Sequence, residues 1–479
     1  MKPYIGACSF ALGLTLLHLS CHPWTSEPSQ TRDPQREGLG VRVLVSGLAD
    51  PFELSWGPDD ALWVTERTGK RVTRVLVPSG RTITLFTADE AVATPGAQDG
   101  LLGMALDPRL LDGSGHDFVY IAYTYDADPS PDVLDRRAKI VRLTHDAATG
   151  QLGAPVDLIS GMPASTTNNS GRLAFGPDER LYYTIGDQGN DGEAHPCEPN
   201  LAQALPTAEE VVKADWTTYQ GKVLRIALDG SIPDDNPVLE GVRSHVYSCG
   251  HRNAQGLTFG PDGKLFVAEH GPRTDDEINL VEPGMNYGWP HVAGHQDDQA
   301  YAYAKWSASV SPACQDLEYS EMEIPASVPQ QKESAWSHPD FRPPLATFYT
   351  VPSDHDFADP ACEGGPAYLC WPTIAPSSIL VYDKHPAWIP GLAGSLVVTS
   401  LKRGQVLSLE MGIDGLPTRG AEPKVLLTTT DRLRDMALSP DGRALYVSTD
   451  AAGSMMSPDG EPTKDLAHQG AILEVRPVD

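Results

Sequence analysis

A chain of 479 residues, 40% of them hydrophobic and 21% charged, holds enough apolar material for a large core. Its formal net charge of −28 repels phosphate backbones and anionic lipid surfaces, which removes nucleic acid from the expected partners. The 44 Gly and 42 Pro are spread along the chain, as many short strands joined by turns require, and are not gathered into a low-complexity tract.

At the N-terminus, Met1 and Lys2 precede an apolar stretch from Tyr4 to Leu19, then Ser20 and Cys21. This has the form of an export signal over residues 1–21, too short to span a bilayer comfortably. Leu17-His18-Leu19-Ser20-Cys21 resembles a bacterial lipoprotein cleavage box, with His18 where Leu is usual, and makes Cys21 a candidate lipid anchor. The segment rich in Pro, Ser, Arg and Glu from Thr25 to Gly38 predicts a flexible tether over residues 22–40, and residues 41–479 predict one folded domain.

Within that domain one pattern recurs: an apolar run, a turn built on Pro-Asp, then an alternating aromatic and aliphatic run. It appears from Ser55 to Arg67, Leu173 to Asp187, Leu257 to Gly271 and Met436 to Asp450. Looser copies run from Leu102 to Tyr123 and from Gly394 to Leu409. Each reads as a hairpin, and six such units spaced roughly 45 to 85 residues apart predict an all-β, six-bladed β-propeller with loop insertions on one face. The interval from Gly271 to Gly394 is too long for one blade and must carry an insertion. Helical periodicity is confined to a short piece from Glu209 to Asp215.

Assigning Cys8 and Cys21 to the signal leaves Cys197, Cys249, Cys314, Cys362 and Cys370. Cys362 and Cys370 flank a Gly-Gly-Pro turn and predict a local disulfide; Cys197 with Cys314 is a second candidate pair, and Cys249 a buried thiol. No Cys-x-x-Cys pair supports a structural zinc, and no Gly-x-Ser-x-Gly elbow supports a hydrolase.

The densest polar segment runs from Gly250 to Pro290. Its Asp275, Asp276 and Glu277, followed by turn-rich chain, are the donor types that an oxygen-liganded Ca²⁺ uses. Arg252, Lys402, Arg432 and Arg434 flank strands and could together clamp a ligand with several carboxylates.

The runs Gln98 to Pro108, Ser170 to Gly189, Gly221 to Pro237, Gly250 to Pro290, Tyr368 to Ser378, Ser400 to Gly404 and Asp431 to Asp435 resemble those of the bacterial soluble glucose dehydrogenases that depend on pyrroloquinoline quinone (PQQ). The resemblance runs from about Leu44 to the end of the chain. It implies a six-bladed propeller with PQQ over the central channel. It further implies PQQ contacts from Gln98, Thr167, Arg252, Asn253, Tyr368, Thr373, Lys402, Arg432 and Arg434, with Trp371 lining the sugar pocket. Carbonyl oxygens of Gly271 and Pro272 would hold the catalytic Ca²⁺. A structural calcium pair would use Glu277, Asp297 and Glu333 with main-chain oxygens of Tyr287, Ala293 and His295. The implied activity is oxidation of an aldose at C1, with electrons passed to an external acceptor, in an exported, periplasmic or membrane-anchored protein; the family is commonly homodimeric.

One position departs from that pattern. Catalytic roles fall at Arg252 and at the site of the family's base, a His preceded by Asp, where this chain has Thr167 and Asn168. Asn accepts no proton at neutral pH, so general-base catalysis worth roughly 10²- to 10⁴-fold is lost at that position. This opens an alternative, a weakly active or non-catalytic propeller that binds PQQ, calcium or carbohydrate, and makes His195 and His270 candidate substitutes.

Overall fold

The structure is a computed structural model that describes residues 38–478 except 129, 131, 132, 364, 384–387 and 419. The expected export signal, Cys21 and most of the tether lie outside the described residues.

The chain folds into six four-stranded antiparallel sheets, each a blade of a β-propeller. Blade one comprises Pro51–Trp56, Ala61–Glu66, Arg71–Leu76 and Arg81–Thr87; blade two, Leu101–Leu106, Phe118–Asp126, Arg136–Asp146 and Gln151–Pro163. Blade three is Ser170–Phe175, Leu181–Ile185, Lys222–Ile226 and Val246–Cys249; blade four, Ala254–Phe259, Leu265–Glu269, Asp276–Val281 and Ala346–Phe348. Blade five is Pro376–Tyr382, Ser395–Ser400, Gln405–Glu410 and Lys424–Thr428. Blade six takes Leu433–Leu438, Leu445–Thr449 and Ile472–Pro477 from the end of the chain, and its outermost strand, Leu39–Val45, from the beginning. That strand pairs antiparallel with the last one, Val41 facing Val475.

In five of the blades the repeat maps onto the inner half. In blades one, three, four and six the Pro-Asp turn joins the first strand to the second, with Asp60, Glu179, Gly263 and Gly442 at positive φ as the turn requires. Second strands such as Ala61–Glu66 and Leu445–Thr449 are buried along their whole length, because both faces of a blade pack against neighbours. The copy from Gly394 to Leu409 is displaced by one strand: it forms the second and third strands of blade five, whose tight reversal at Leu401–Gly404 imitates the signature.

The expected helix forms over Ala208–Lys213, where Thr207 and Glu210 make a reciprocal capping box. The expected insertion divides between residues 282–345, inside blade four, and 349–375, ahead of blade five. Disulfides join Cys197 to Cys314 and Cys362 to Cys370, and Cys249 is a buried free thiol. Among the described residues, no helix is long and apolar enough to cross a membrane.

Arg172, on the first strand of blade three, ties the inner strands together. Its Nε donates to the Gln255 carbonyl at 2.6 Å, Nη1 to Phe52 at 2.9 Å, and Nη2 to Ser377 at 2.7 Å and Arg434 at 3.0 Å. Those acceptors belong to blades four, one, five and six. Asp435 supplies countercharge at 3.0 Å, and Glu53 lies at 3.2 Å, its carboxyl raised to about 8 by burial against the pull of Arg172. One side chain, only 3% exposed, thus ties the first strands of four other blades to its own.

Candidate active site

In an antiparallel blade the start of the first strand and the end of the second lie at the same end of the sheet. Gln98, Thr167, Asn168, Arg252, Asn253, Tyr368, Trp371, Thr373, Arg432 and Arg434 precede or begin first strands, while Gly271, Pro272 and Lys402 follow second strands. Residues scattered over more than 300 positions therefore surround one mouth of the channel.

Hydrogen bonds connect most of them. Gln98 accepts from the Asn168 backbone N–H at 3.0 Å and donates to Thr167 Oγ1 at 3.2 Å. Asn168 sits at φ 47°, a left-handed conformation that Asn tolerates better than most residues. Its Nδ2 donates to Asp187 Oδ1 at 2.9 Å, and its Oδ1 accepts from Asn253 Nδ2 at 3.2 Å. Across the mouth, Lys402 Nζ donates to the carbonyls of Tyr368 at 2.8 Å and Trp371 at 2.6 Å, and to Thr373 Oγ1. Arg434 binds both oxygens of Asp450, and Arg432 Nε adds a third bond at 3.0 Å.

Burial sets the charge states. Burial opposes ionisation of Asp450, but Arg434 and then Arg432 overcome it and hold the carboxyl at about 2. Burial lowers Lys402 to about 7, against the pull of Asp276, and raises Asp276 to about 6, against the pull of Lys402. Desolvation of this pair outweighs its mutual attraction, so both members are moved towards neutrality. His270 is lowered to about 3 by burial and by Arg252. Its Nε2 contacts the Pro376 carbonyl at 3.1 Å and its Nδ1 lies 3.4 Å from Asn253 Nδ2, so neither ring nitrogen is open to a substrate. His195 is not among the residues lining the cleft described below.

Consecutive residues of a strand point to opposite faces, and the acidic triplet is divided accordingly. Asp276 accepts from the backbone of Gly271, Ile374 and Ala375 on the channel side. Glu277 turns instead to Asn279 at 2.8 Å and to the Gly294 backbone at 2.5 Å. Asp275 bonds Thr350. The three carboxylates do not form one ligand set.

Among the described residues no three His, Cys, Asp or Glu side chains cluster to hold a metal. Carbonyl oxygens make up the whole of one expected calcium set and half of the other, and such donors form no carboxylate cluster. The surroundings of the second set suit a hard cation. Glu333 accepts backbone bonds from Ala293 at 3.0 Å, Asp297 at 3.2 Å and Asp298 at 2.8 Å, which gathers Ala293 to Asp298 around it. Burial raises Glu333 to about 7 and lifts Glu277 well above the carboxylate range, the latter aided by neighbouring Glu269.

The donor set at the mouth suits a planar ligand with several carboxylates. Arg252 lies over the Trp289 ring at 5.3 Å and leaves its buried Nε without a partner, and the buried Trp371 Nε1 is likewise unpaired. Beside them lies a cleft of about 390 Å³, walled by the loop after the second strand of blade three and by the insertion of blade four. Asn168, Asp187, Arg252, Trp289, Tyr301 and Glu321 line it, and the Cys197–Cys314 disulfide joins its two walls.

Asp187, Trp289 and Glu321 were not singled out from the sequence. Asp187 follows a second strand by two residues, the same position that marks Lys402, and was legible on that ground; Glu321 lies in irregular chain with no sequence signal.

A family model described as Glucose / Sorbosone dehydrogenase matches residues 48–324 and 352–457. The quinoprotein glucose dehydrogenase B of Acinetobacter calcoaceticus is 44% identical over 448 residues, 93% of each chain. The aldose sugar dehydrogenase YliI of Escherichia coli is 26% identical over 86% of this chain and 90% of its own. A solved structure of the PQQ-bound form of an aldose sugar dehydrogenase from Streptomyces coelicolor superposes with a TM-score of 0.60 at 25% identity, covering 93% of this chain and 100% of that one.

Proposed function

Because the chain belongs to the Glucose / Sorbosone dehydrogenase family, we propose that this oxidoreductase uses PQQ and Ca²⁺ to oxidise aldose sugars such as glucose at C1 to the lactone, passing electrons to an external acceptor. The observation that carries the proposal is the meeting of Lys402 with Tyr368, Trp371 and Thr373 opposite the Gln98–Asn168–Asn253 network, around one channel mouth.

When bound, PQQ supplies the two-electron oxidant and Ca²⁺ a Lewis acid for its carbonyl. Arg252, Lys402, Arg432 and Arg434 neutralise the cofactor's carboxylates, and carbonyls of Gly271 and Pro272 hold the cation. Asp450 keeps Arg432 and Arg434 in place before any ligand arrives. Gln98 fixes the Thr167–Asn168 turn, and Trp371 forms part of the sugar pocket. Glu277, Asp297 and Glu333, with carbonyls of Tyr287, Ala293 and His295, hold a structural calcium pair. The protein acts after export, in the periplasm or anchored through Cys21, and as a homodimer.

Asn168 favours a second reading, a propeller that binds quinone, calcium or carbohydrate with little or no turnover. Reconstitution with PQQ and Ca²⁺, followed by dye reduction across an aldose panel, separates the two. Absence of a bound-quinone spectrum would overturn both the cofactor and the activity. A quinone spectrum that no sugar bleaches would favour the second reading.

A further inference from the structure

A C1 oxidation needs somewhere for the hydroxyl proton to go, and Asn168 does not provide it. Asp187 is the first carboxylate in reach of Asn168, but its lone pairs are taken. Oδ1 accepts from Asn168 Nδ2 and the Gly189 backbone, both at 2.9 Å, and Oδ2 from Trp289 Nε1 at 2.8 Å and Asn200 Nδ2 at 3.2 Å. A carboxylate bound by four donors is a poor base and a good anchor.

Glu321 has the opposite character. It lines the same cleft as Asn168 and Arg252, on the wall contributed by the insertion. Tyr319 donates to Oε1 at 3.3 Å, while Oε2 is buried without a hydrogen-bond partner. Arg252 and Arg273 lie close enough to favour its charge, and Glu193 opposes them. A buried acceptor that no protein donor reaches, beside a guanidinium, is costly unless a ligand completes it.

We propose that the Glu321 carboxylate takes the C1 hydroxyl proton of the sugar, in place of the base absent at Asn168. This rests on the proposed dehydrogenase activity. In the step, the C1–H bond breaks with its electron pair passing to the quinone oxidant, and the O–H bond breaks with its proton passing to Glu321 Oε2. The C1=O bond forms, the sugar loses two electrons, and the quinone gains them. Burial raises the Glu321 carboxyl above its ordinary value, in the direction that strengthens a general base at neutral pH.

The test compares wild type, Glu321→Gln and Glu321→Gln/Asn168→His, each loaded with PQQ and Ca²⁺ and each shown to hold the quinone by its spectrum. Turnover is expected to fall roughly 10²- to 10⁴-fold in Glu321→Gln, with the quinone spectrum unchanged, and to recover in the double variant, where an imidazole again stands at position 168. A second readout needs no turnover. Calorimetry on protein carrying reduced cofactor compares glucose with 1,5-anhydroglucitol, which lacks the C1 hydroxyl. Wild type should favour glucose by about tenfold or more, the value of a hydrogen bond to a charged acceptor, and Glu321→Gln should lose most of that preference. Unchanged turnover, or an unchanged preference, in Glu321→Gln overturns this proposal alone. A wild type without a quinone spectrum overturns the dehydrogenase proposal, and this one with it.

Discussion

Asp450 grips Arg434 with both carboxylate oxygens, Nε to Oδ1 at 2.8 Å and Nη2 to Oδ2 at 2.9 Å. Asp450 is buried, the Arg434 side chain is 11% exposed, and Arg432 shares the same carboxylate. Asp450→Asn leaves two guanidiniums without their counterion, and a loss of about 3–5 kcal/mol is expected in denaturant unfolding. The pH dependence follows from the depressed carboxyl. Its stabilisation is complete above an unfolded value near 4 and is lost as pH falls through about 2. The gap between wild type and Asp450→Asn should therefore narrow in acid; a gap constant from pH 6 to pH 2 would contradict the assignment.

Lys402 gives the site a dependence of the opposite sign. Its ammonium, lowered to about 7 by burial, loses its proton as pH rises through neutrality. A ligand carrying carboxylates binds the protonated form, so PQQ affinity should be level below about pH 7 and fall roughly tenfold per pH unit above it. Titrations in buffers of different ionisation enthalpy should show proton uptake on binding above pH 7. Lys402→Met should abolish that uptake.

Arg172, on blade three, hydrogen-bonds to the first strands of four other blades. Arg172→Met removes four hydrogen bonds to backbone carbonyls and strands Glu53 and Asp435 in the channel. Thermal unfolding should show a loss of at least about 3–5 kcal/mol. A variant that unfolds like wild type would show the hub to be dispensable.

The Cys197–Cys314 disulfide closes a loop spanning 117 residues. Replacing both cysteines with Ser should cost about 2–4 kcal/mol through the freedom regained by the unfolded chain. If the bridge also sets the width of the cleft it joins, KM for sugar should rise more than kcat falls, which steady-state kinetics on the double variant would measure.

The architecture was legible because its signature is local. A Pro-Asp turn with alternating residues on either side needs only a dozen positions, and it located the inner hairpins of four blades directly. It failed at blade five, where the first two strands are joined by a longer connection, so the tight turn one strand later supplied the match. The mouth residues depended on resemblance, since no spacing rule links Gln98 to Arg434; only the ring places them together. Cys362–Cys370 could be read from eight intervening positions, whereas Cys197–Cys314 depends on where the insertion lies. Glu321 was beyond the reach of sequence for the same reason: its meaning comes from sharing with Asn168 a cleft built by separate excursions.

The pairing of Val41 with Val475 closes blade six from two segments far apart in the chain. Until the two segments meet, Leu39–Val45 has no partner strand and one edge of Ile472–Pro477 is bare. A molecule in which either segment is displaced therefore carries an unpaired sheet edge, a surface from which edge-to-edge association can start.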